Sequence, residues 1–380
     1  MNVFPRKVNQ LAYKLIGEKP VIAVAGSAGK TTVKTMLSAI LRERWVIFES
    51  KDYYNIYQKT KEHASAINFI HRAAVLEYGM GFAGDLTQHC QYLQPNIGVI
   101  TNVGLAHIGN FESRVELLAK AKSELIKGMH PSGILVINAD DQNSRLLDTE
   151  DFTGQILTVG IKNKGDYQAR ELSCLEKGVS FIARIGEKDY SFFIPVLGRH
   201  NVYNALYAIG VADQLGFLPH EMQSGFSNMR KANHRLHLYH LKDGVIVIDD
   251  TVHAHPPAVK AAIDVLLQIG TGKKIAVLGS MSELGDRSEK EHEGIGRYVA
   301  EKGIDLLYTY GNVSVQIGVG AMAGGLPTDR IRHFTQLKRK QMHQELLRNI
   351  EPGTTILVKG ASRLNLFETI TYLRDQYKVK

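Results

Sequence analysis

The sequence predicts an α/β protein of two mostly parallel sheets, and three observations carry that reading. Apolar runs that read as buried strands recur at 20–25, 73–77, 97–101, 133–138, 245–249, 274–278, 305–310 and 354–358. Helical patterns alternate with them at 30–43, 113–128, 200–215, 256–268, 288–302, 336–349 and 363–376. Such alternation places parallel strands under helices on both faces. The third observation is Gly26-Ser27-Ala28-Gly29-Lys30-Thr31-Thr32, directly after Val21-Ile22-Ala23-Val24-Ala25: a strand turning sharply into a helix.

That turn is read as a nucleotide triphosphate site. The glycines let the backbone approach an anion, and the N–H groups of the helix start point at it. Lys30 adds a fixed positive charge, and the Thr31 hydroxyl is the expected magnesium ligand. Val24 stands where the first glycine of the general phosphate-loop pattern would be, so the motif is the tighter G-x-x-G-K-T.

The chain has 380 residues, enough for two or three domains each with its own core. Hydrophobic content of 44% and charged content of 22% are ordinary for a soluble globular protein. The net charge of +8 is spread along the chain and its densest run, Lys338-Arg339-Lys340, is short. This favours anionic small-molecule or peptide substrates over nucleic acid, since aromatic-plus-basic repeats that stack bases are missing. Cys90 and Cys174 share no metal-type spacing and fit a reducing cytosol. No apolar run approaches the roughly 18 residues of a membrane helix, and Met1–Pro20 does not read as a signal peptide. The expected location is cytoplasmic. The expected organisation is a helical stub over 1–18, a central ATP-binding domain over 19–230, and a Rossmann-like α/β domain over 231–380. Between about 155 and 195 the pattern shifts, and Val179–Ile185 with Tyr190–Ile194 suggest antiparallel strands at the edge of the first sheet.

Four clusters follow the phosphate loop, mostly at strand ends, where open parallel sheets bind ligands. Glu77 ends an apolar strand and can hold magnesium against phosphates, or be a solvated strand-end charge. Thr101 to His107 runs from a strand end into a turn, and His107 reads as a metal ligand, a hydrogen-bond donor or a structural histidine. Ala119-Lys120-Ala121-Lys122-Ser123-Glu124 reads by periodicity as a solvated helix face. Asp249-Asp250-Thr251-Val252-His253-Ala254-His255-Pro256 reads as a metal site, as acids for ribose hydroxyls, or as helix capping by Asp250 or Thr251.

Taken together these motifs resemble the Mur ligases, ATP-dependent amide-forming enzymes of peptidoglycan precursor assembly, and most nearly the branch that adds D-alanyl-D-alanine. The resemblance runs from about Val21 to about Thr371. Gly26, Ser27, Ala28, Gly29, Lys30, Thr31 and Thr32 look like the family's short phosphate loop, with Ala25 where threonine is common. Glu77 with Gly84-Asp85 resembles its E-x-G…G-[ED] segment. Thr101 to His107 with Phe111-Glu112-Ser113 resembles T-N-x-x-x-A-H…F-x-S. Ala121-Lys122-Ser123-Glu124 is similar to A-K-G-E, whose lysine is carbamylated, and this reverses the solvated-face reading of Lys122. Gly198-Arg199-His200-Asn201 with Asn204-Ala205 resembles the segment that contacts adenine. Arg235 looks like the arginine that reaches the phosphates, and Asp249-Asp250 like the ribose-binding acids. Leu278 to Gly285 and Lys359 to Arg363 resemble the signatures near the incoming amine.

The resemblance implies ATP and Mg2+, an acyl-phosphate intermediate, and a C–N bond formed between a carboxylate acceptor and an amino acid or dipeptide amine. Lys30, Lys122, His107 and Arg235 are the implied catalytic residues. Thr31, Glu77, His107 and Lys122 are the implied metal set. The departures concern acceptor and amine. The stub ahead of Gly26 leaves no room for the domain that holds a UDP-sugar. Val252, His253 and His255 replace a tyrosine and two asparagines, and His234 replaces a glycine before Arg235. Two other expectations are kept: a truncated ligase for a poly-amino acid or secondary metabolite, and an ATP-binding regulator that has lost ligation.

Overall fold

The computed structural model describes residues 19–52, 54–231 and 233–377. The expected N-terminal helical stub lies outside the described residues. The chain divides into two compact units. The first holds residues up to Gly104 and Arg114–Ala232; the second holds Leu105–Ser113 and Asn233 onward.

In the first unit, β1 (Val21–Ala25) leads through the glycine turn into α1 (Lys30–Arg42). Then come β2 (Ile47–Glu49), α2 (Tyr57–Ala66), β3 (Ala73–Glu77), α3 (Asp85–Tyr92), β4 (Ile97–Ile100), α4 (Val115–Gly128) and β5 (Ile134–Asn138). β6 (Gln155–Gly160), β7 (Tyr167–Leu175), β8 (Gly178–Ile185) and β9 (Lys188–Ile194) precede α5 (His200–Gln214) and α6 (Pro219–Asn228). The nine described strands form one sheet in the order β2-β3-β1-β4-β5-β6-β7-β8-β9. Pairing is parallel from β2 to β7. The expected antiparallel group is present, because β8 runs against both β7 and β9. β1 lies between β3 and β4, so chain order reverses direction across it; this is where such sheets open a crevice for ligands. Val33, Met36, Leu37 and Ile40 of α1 pack with Val202, Leu206 and Ile209 of α5 over Ile22 and Val24, giving a dry base beneath the turn.

The second unit carries β10 (His237–His240), β11 (Ile246–Asp250), α7 (Pro256–Ile269), β12 (Lys274–Gly279), α8 (Ser288–Glu301), β13 (Leu306–Tyr310) and α9 (Val315–Ala323). β14 (Ile331–Phe334), α10 (Arg339–Arg348), β15 (Thr355–Lys359) and α11 (Phe367–Gln376) complete it. Its sheet runs β10-β11-β15-β12-β13-β14, parallel except for the β10 edge.

Every strand run expected from the sequence is a strand, within a residue or two at its ends. The helices α2, α3, α6 and α9 were not expected, and for α9 the reason is that Val315-Gln316-Ile317-Gly318-Val319-Gly320 is glycine-rich and reads as a weak helix. Packing explains it. A Cβ on Gly320 would lie 2.0 Å from the Glu293 carbonyl oxygen, and one on Gly296 1.9 Å from that of Ile317, so α8 and α9 touch backbone to backbone. β2, β10 and β14 are three or four residues long, too short for a periodicity to show.

Candidate active site

The glycine turn is held from the next strand along. Gly26 (φ 132°) and Gly29 (φ 84°) take backbone angles that favour glycine. Added Cβ atoms there would lie 2.0 Å from Thr101 Oγ1 and 2.4 Å from Asn204 Oδ1. After β4, Asn102 accepts the Ala28 N–H on Oδ1 at 3.1 Å and donates from Nδ2 to the Ala28 carbonyl at 3.2 Å. Thr101 Oγ1 donates to that same carbonyl, and the Ser27 hydroxyl exchanges bonds with the backbone of Gly104. The loop after β4 is in turn pinned by Asp141, whose Oδ2 accepts the Val103 N–H at 2.8 Å, and by Asn143, which donates to the Val103 carbonyl. Thr101, Asn102 and Asp141 are therefore supports of the turn, a role that sequence reading missed. Asn102→Ala leaves the Ala28 N–H unpaired and is expected to cost about 1–3 kcal/mol. Urea unfolding measures this, and an unchanged midpoint would show that the brace carries no load.

Lys30 folds back over the turn, its Nζ donating to the Gly26 carbonyl at 2.9 Å. Thr31 is buried, and its hydroxyl donates to Glu77 Oε2 at 2.8 Å. Glu77 is buried as well, which ends its reading as a solvated charge. Its other oxygen accepts from Asn55 Nδ2 at 2.8 Å, and its backbone N–H donates to Ser50 Oγ. Asn55 also accepts the Gly79 N–H on its backbone carbonyl, tying the loop after β2 to the one after β3. A hydroxyl and a carboxylate meeting beside a phosphate-binding turn are a hard-oxygen pair that suits magnesium, which is held by few protein oxygens plus phosphates. No cluster of three or more histidine, cysteine or acidic side chains shaped for a metal occurs among the described residues.

Lys122 departs from its periodicity. It is 2% exposed, on the inner face of α4. The surface reading of this segment fails there and survives at Lys120, which is exposed. Glu124 is spent on α3, accepting from the N–H of Gly84 and from the N–H and hydroxyl of Thr87. Two other buried lysines are fully partnered. Lys34 Nζ donates to the Ser50 carbonyl and Asp52, and Lys359 Nζ donates to Asp250 at 2.6 Å and the His253 carbonyl. Among the described residues no carboxylate pairs with Lys122. Burial, helped by the positive charge of Lys30 and opposed by Asp141, lowers its pKa to about 7.

In the first turn of α5, the Asn201 amide is satisfied locally. Nδ2 donates to the Leu197 carbonyl at 2.6 Å, and Oδ1 accepts from Asn204 at 2.7 Å. Asn204 is the link from this helix to Gly29.

In the second unit, Asp249 is fully buried and accepts from Thr251 on Oδ1 and from His234 Nδ1 on Oδ2, both at 2.7 Å. Asp250 is the partner of Lys359. The capping reading of Asp250 and Thr251 fails: α7 begins after His255, and no side chain caps it. His234 (φ 56°) and Leu236 (φ 47°) are left-handed on either side of half-buried Arg235, so His234 occupies a backbone position suited to glycine. His107 lies with the second unit, its Nδ1 2.5 Å from Glu283 Oε2. His292 fixes the 278–285 signature loop by accepting the Met281 N–H at 2.9 Å on Nε2. Burial lowers its pKa, which keeps that acceptor available.

A glycine turn from strand to helix at the switch point of one parallel α/β unit, followed by a second parallel α/β unit, is an arrangement that suits a nucleotide-dependent enzyme of the α/β class. Two family models match: the Mur ligase middle domain over residues 24–212, and the Mur ligase, glutamate ligase domain over residues 234–362. The chain is 34% identical over 354 residues to the UDP-N-acetylmuramoyl-tripeptide--D-alanyl-D-alanine ligase of Bacillus subtilis, spanning 92% of this chain and 75% of that protein. The Escherichia coli protein of the same name is 27% identical over 358 residues, spanning 93% and 77%. Among solved structures, a MurF from Acinetobacter baumannii superposes with a TM-score of 0.86 at 27% identity, over 97% of this chain and 79% of that one. The chain belongs to the Mur ligase family of ATP-dependent, amide-forming enzymes. No described helix is long and apolar enough to cross a membrane.

Proposed function

We propose that this protein joins a dipeptide amine of the D-alanyl-D-alanine type to the carboxylate of a peptide-bearing precursor, consuming ATP. The observation that carries the proposal is Lys122, a buried lysine without an acidic partner in the unit that holds the phosphate-binding turn. A core has no structural use for such a group, because burying an unpaired charge is costly. Its lowered pKa supplies the neutral amine that carbamate formation requires.

A carboxylate is a poor electrophile, because its leaving group would be oxide. Transfer of the ATP γ-phosphoryl group to a carboxylate oxygen forms one P–O bond and breaks the bond to ADP. The amine then attacks the acyl carbon, phosphate leaves, and the amine gives up a proton. Phosphoryl transfer needs positioning and charge neutralisation rather than a protein nucleophile. The backbone N–H groups from Gly26 to Thr32 and the Lys30 ammonium hold the phosphates. Magnesium, when bound, neutralises charge on the transferring group, with Thr31, Glu77, His107 and a carbamate on Lys122 as its proposed protein ligands. Arg235 is assigned to the phosphates, Asp249 and Asp250 to the ribose, and Asn201 to the base. The proposed location is the cytoplasm, where ATP is available.

The second reading, a ligase for a different amine or acceptor, draws on the His234–Asp249 bond and on Val252, His253 and His255 near it. One experiment separates the readings: phosphate release with paired carboxylates and amines, scored by product mass. Release that requires UDP-linked muramoyl tripeptide and D-alanyl-D-alanine together supports the first. Release with other pairs alone supports the second. Nucleotide binding without release under any pair would leave a regulator.

A further inference from the structure

We infer that Asn55 is a positioning residue that aims the Glu77 carboxylate at a divalent cation, on a loop that buried Lys34 holds in place. The inference rests on the proposed role of Glu77 as a metal ligand, and the test below separates the two.

Charge is shared out around Glu77 in a way that a folded core alone does not call for. Lys34 lies one turn after Lys30 on α1 and is fully buried, and Glu77 at the end of β3 is buried too. Both reach Ser50, so the two opposite charges sit on either side of one residue. Pairing them directly would satisfy both, since a buried charge is tolerated when it is paired. Instead the Lys34 ammonium donates to Asp52 at 2.8 Å and to the Ser50 carbonyl at 2.6 Å, with Glu49 at 3.7 Å. Glu77 is left with neutral donors: Thr31 on Oε2 and Asn55 on Oε1, both at 2.8 Å. Among the described residues no ion pair reaches it. A buried carboxylate without a cation is costly, so its charge is kept for one that arrives from outside the fold.

The loop 50–55 fixes where that carboxylate points. Ser50 takes the Lys34 ammonium on its carbonyl and the Glu77 N–H on its hydroxyl at 3.1 Å, so the clamp is tied to the backbone of Glu77 itself. Asn55 then meets the end of β3 twice. Its carbonyl accepts the Gly79 N–H at 2.7 Å, and its amide donates to Oε1. A Cβ on Gly79 would lie 2.6 Å from that carbonyl oxygen, so the two backbones approach this closely because residue 79 is glycine. From the other side His89 of α3 donates from Nε2 to the Gly79 carbonyl at 3.1 Å, while its Nδ1 accepts from the Thr60 hydroxyl at 2.6 Å. A carboxylate only accepts, so the Asn55 amide presents its NH2, and that bond sets the rotation of the carboxylate. Carboxylates that hold metals are themselves hydrogen-bonded in this manner.

The test is Mn2+ binding to the full chain with a non-hydrolysable ATP analogue, followed by electron paramagnetic resonance, beside binding of the same analogue in EDTA. The variants are Asn55→Ala, Lys34→Met, the two combined, Glu77→Gln and Ser224→Ala. Asn55→Ala is expected to weaken Mn2+ binding by about 10- to 100-fold and to leave metal-free binding of the analogue unchanged. Lys34→Met should weaken Mn2+ binding too, and the double variant should lose no more than Asn55→Ala, because both act through one bond. If Lys34→Met does not fold, Asp52→Asn loosens the same clamp from its half-exposed end and replaces it in the cycle. Ser224→Ala removes a bond to Glu43, beyond the other end of α1, and should change little. Unchanged Mn2+ affinity in Asn55→Ala, beside a loss in Glu77→Gln, overturns the inference and leaves Glu77 as a ligand. An equal loss of metal-free binding in Asn55→Ala, or an equal Mn2+ loss in Ser224→Ala, overturns it too, because the effect would then be general loosening. Losses that multiply in the double variant overturn the part given to Lys34. Unchanged affinity in Glu77→Gln overturns both the inference and the metal role of Glu77, while leaving ligation itself to the phosphate-release assay.

Discussion

Lys30→Ala is expected to lower turnover by ~10²-fold or more, the loss seen when a charge aimed at a transferring group is removed. The structure narrows how that loss should arise. Lys30 is half-buried, and its Nζ donates to the Gly26 carbonyl of its own turn. The turn does not depend on it for shape, since Asn102, Thr101 and Ser27 hold the backbone. The variant should therefore melt close to wild type and fail in the chemical step, with kcat falling more than nucleotide affinity. Stopped-flow phosphate release together with calorimetric nucleotide binding would measure both. Near-normal turnover would remove the turn from the mechanism. Weak binding with normal kcat would make Lys30 a uniform binding contact rather than a group acting in the transition state.

The fold was legible in the sequence because strands covered on both faces are continuous apolar runs, and because the glycine turn carries its chemistry locally. What stayed hidden acts across the chain. Asn102 serves Ala28 from 74 residues away, and Asn55 reaches Glu77 across 22. No local pattern marks an asparagine as the brace of a distant loop. The Thr101–His107 motif reads as one unit yet serves two: Thr101 and Asn102 hold the phosphate-binding turn, while His107 packs with the second unit. α9 was missed because its glycines serve helix contact, which local propensity cannot register. For the segment Asp249–Pro256 the competing readings are ribose, metal, and a cap by Asp250 or Thr251. The structure excludes the cap and adds a histidine that the sequence had marked only as an oddity.

Lys122 is where periodicity alone pointed the wrong way, and it carries the largest prediction after Lys30. Its neighbours at 118, 119, 121, 125 and 126 are buried, so the inner face of α4 is wide enough to take in position 122. If Lys122 works as a carbamate, Lys122→Ala should lose ~10²-fold or more in turnover, since an anion beside the phosphates' cation is removed. Formate or acetate should restore part of the activity by placing a carboxylate in the space. Lys122→Arg should be as inactive as Ala, because arginine stays charged and cannot be carbamylated. Retained activity in Lys122→Arg would mean that the position serves only as a positive charge. Stability should move the other way. A pKa lowered from 10.5 to about 7 means that the folded state disfavours the ammonium that the unfolded chain carries freely. The penalty is absent above the unfolded pKa, grows as pH falls toward 7, and is constant below it. Lys122→Met, measured by denaturant unfolding in buffers free of carbon dioxide, should approach wild type above pH 11 and exceed it in stability at pH 6. A variant that folds better and does not turn over marks a group kept for chemistry. A Lys122→Met protein less stable than wild type at pH 6 would instead make the lysine part of the core.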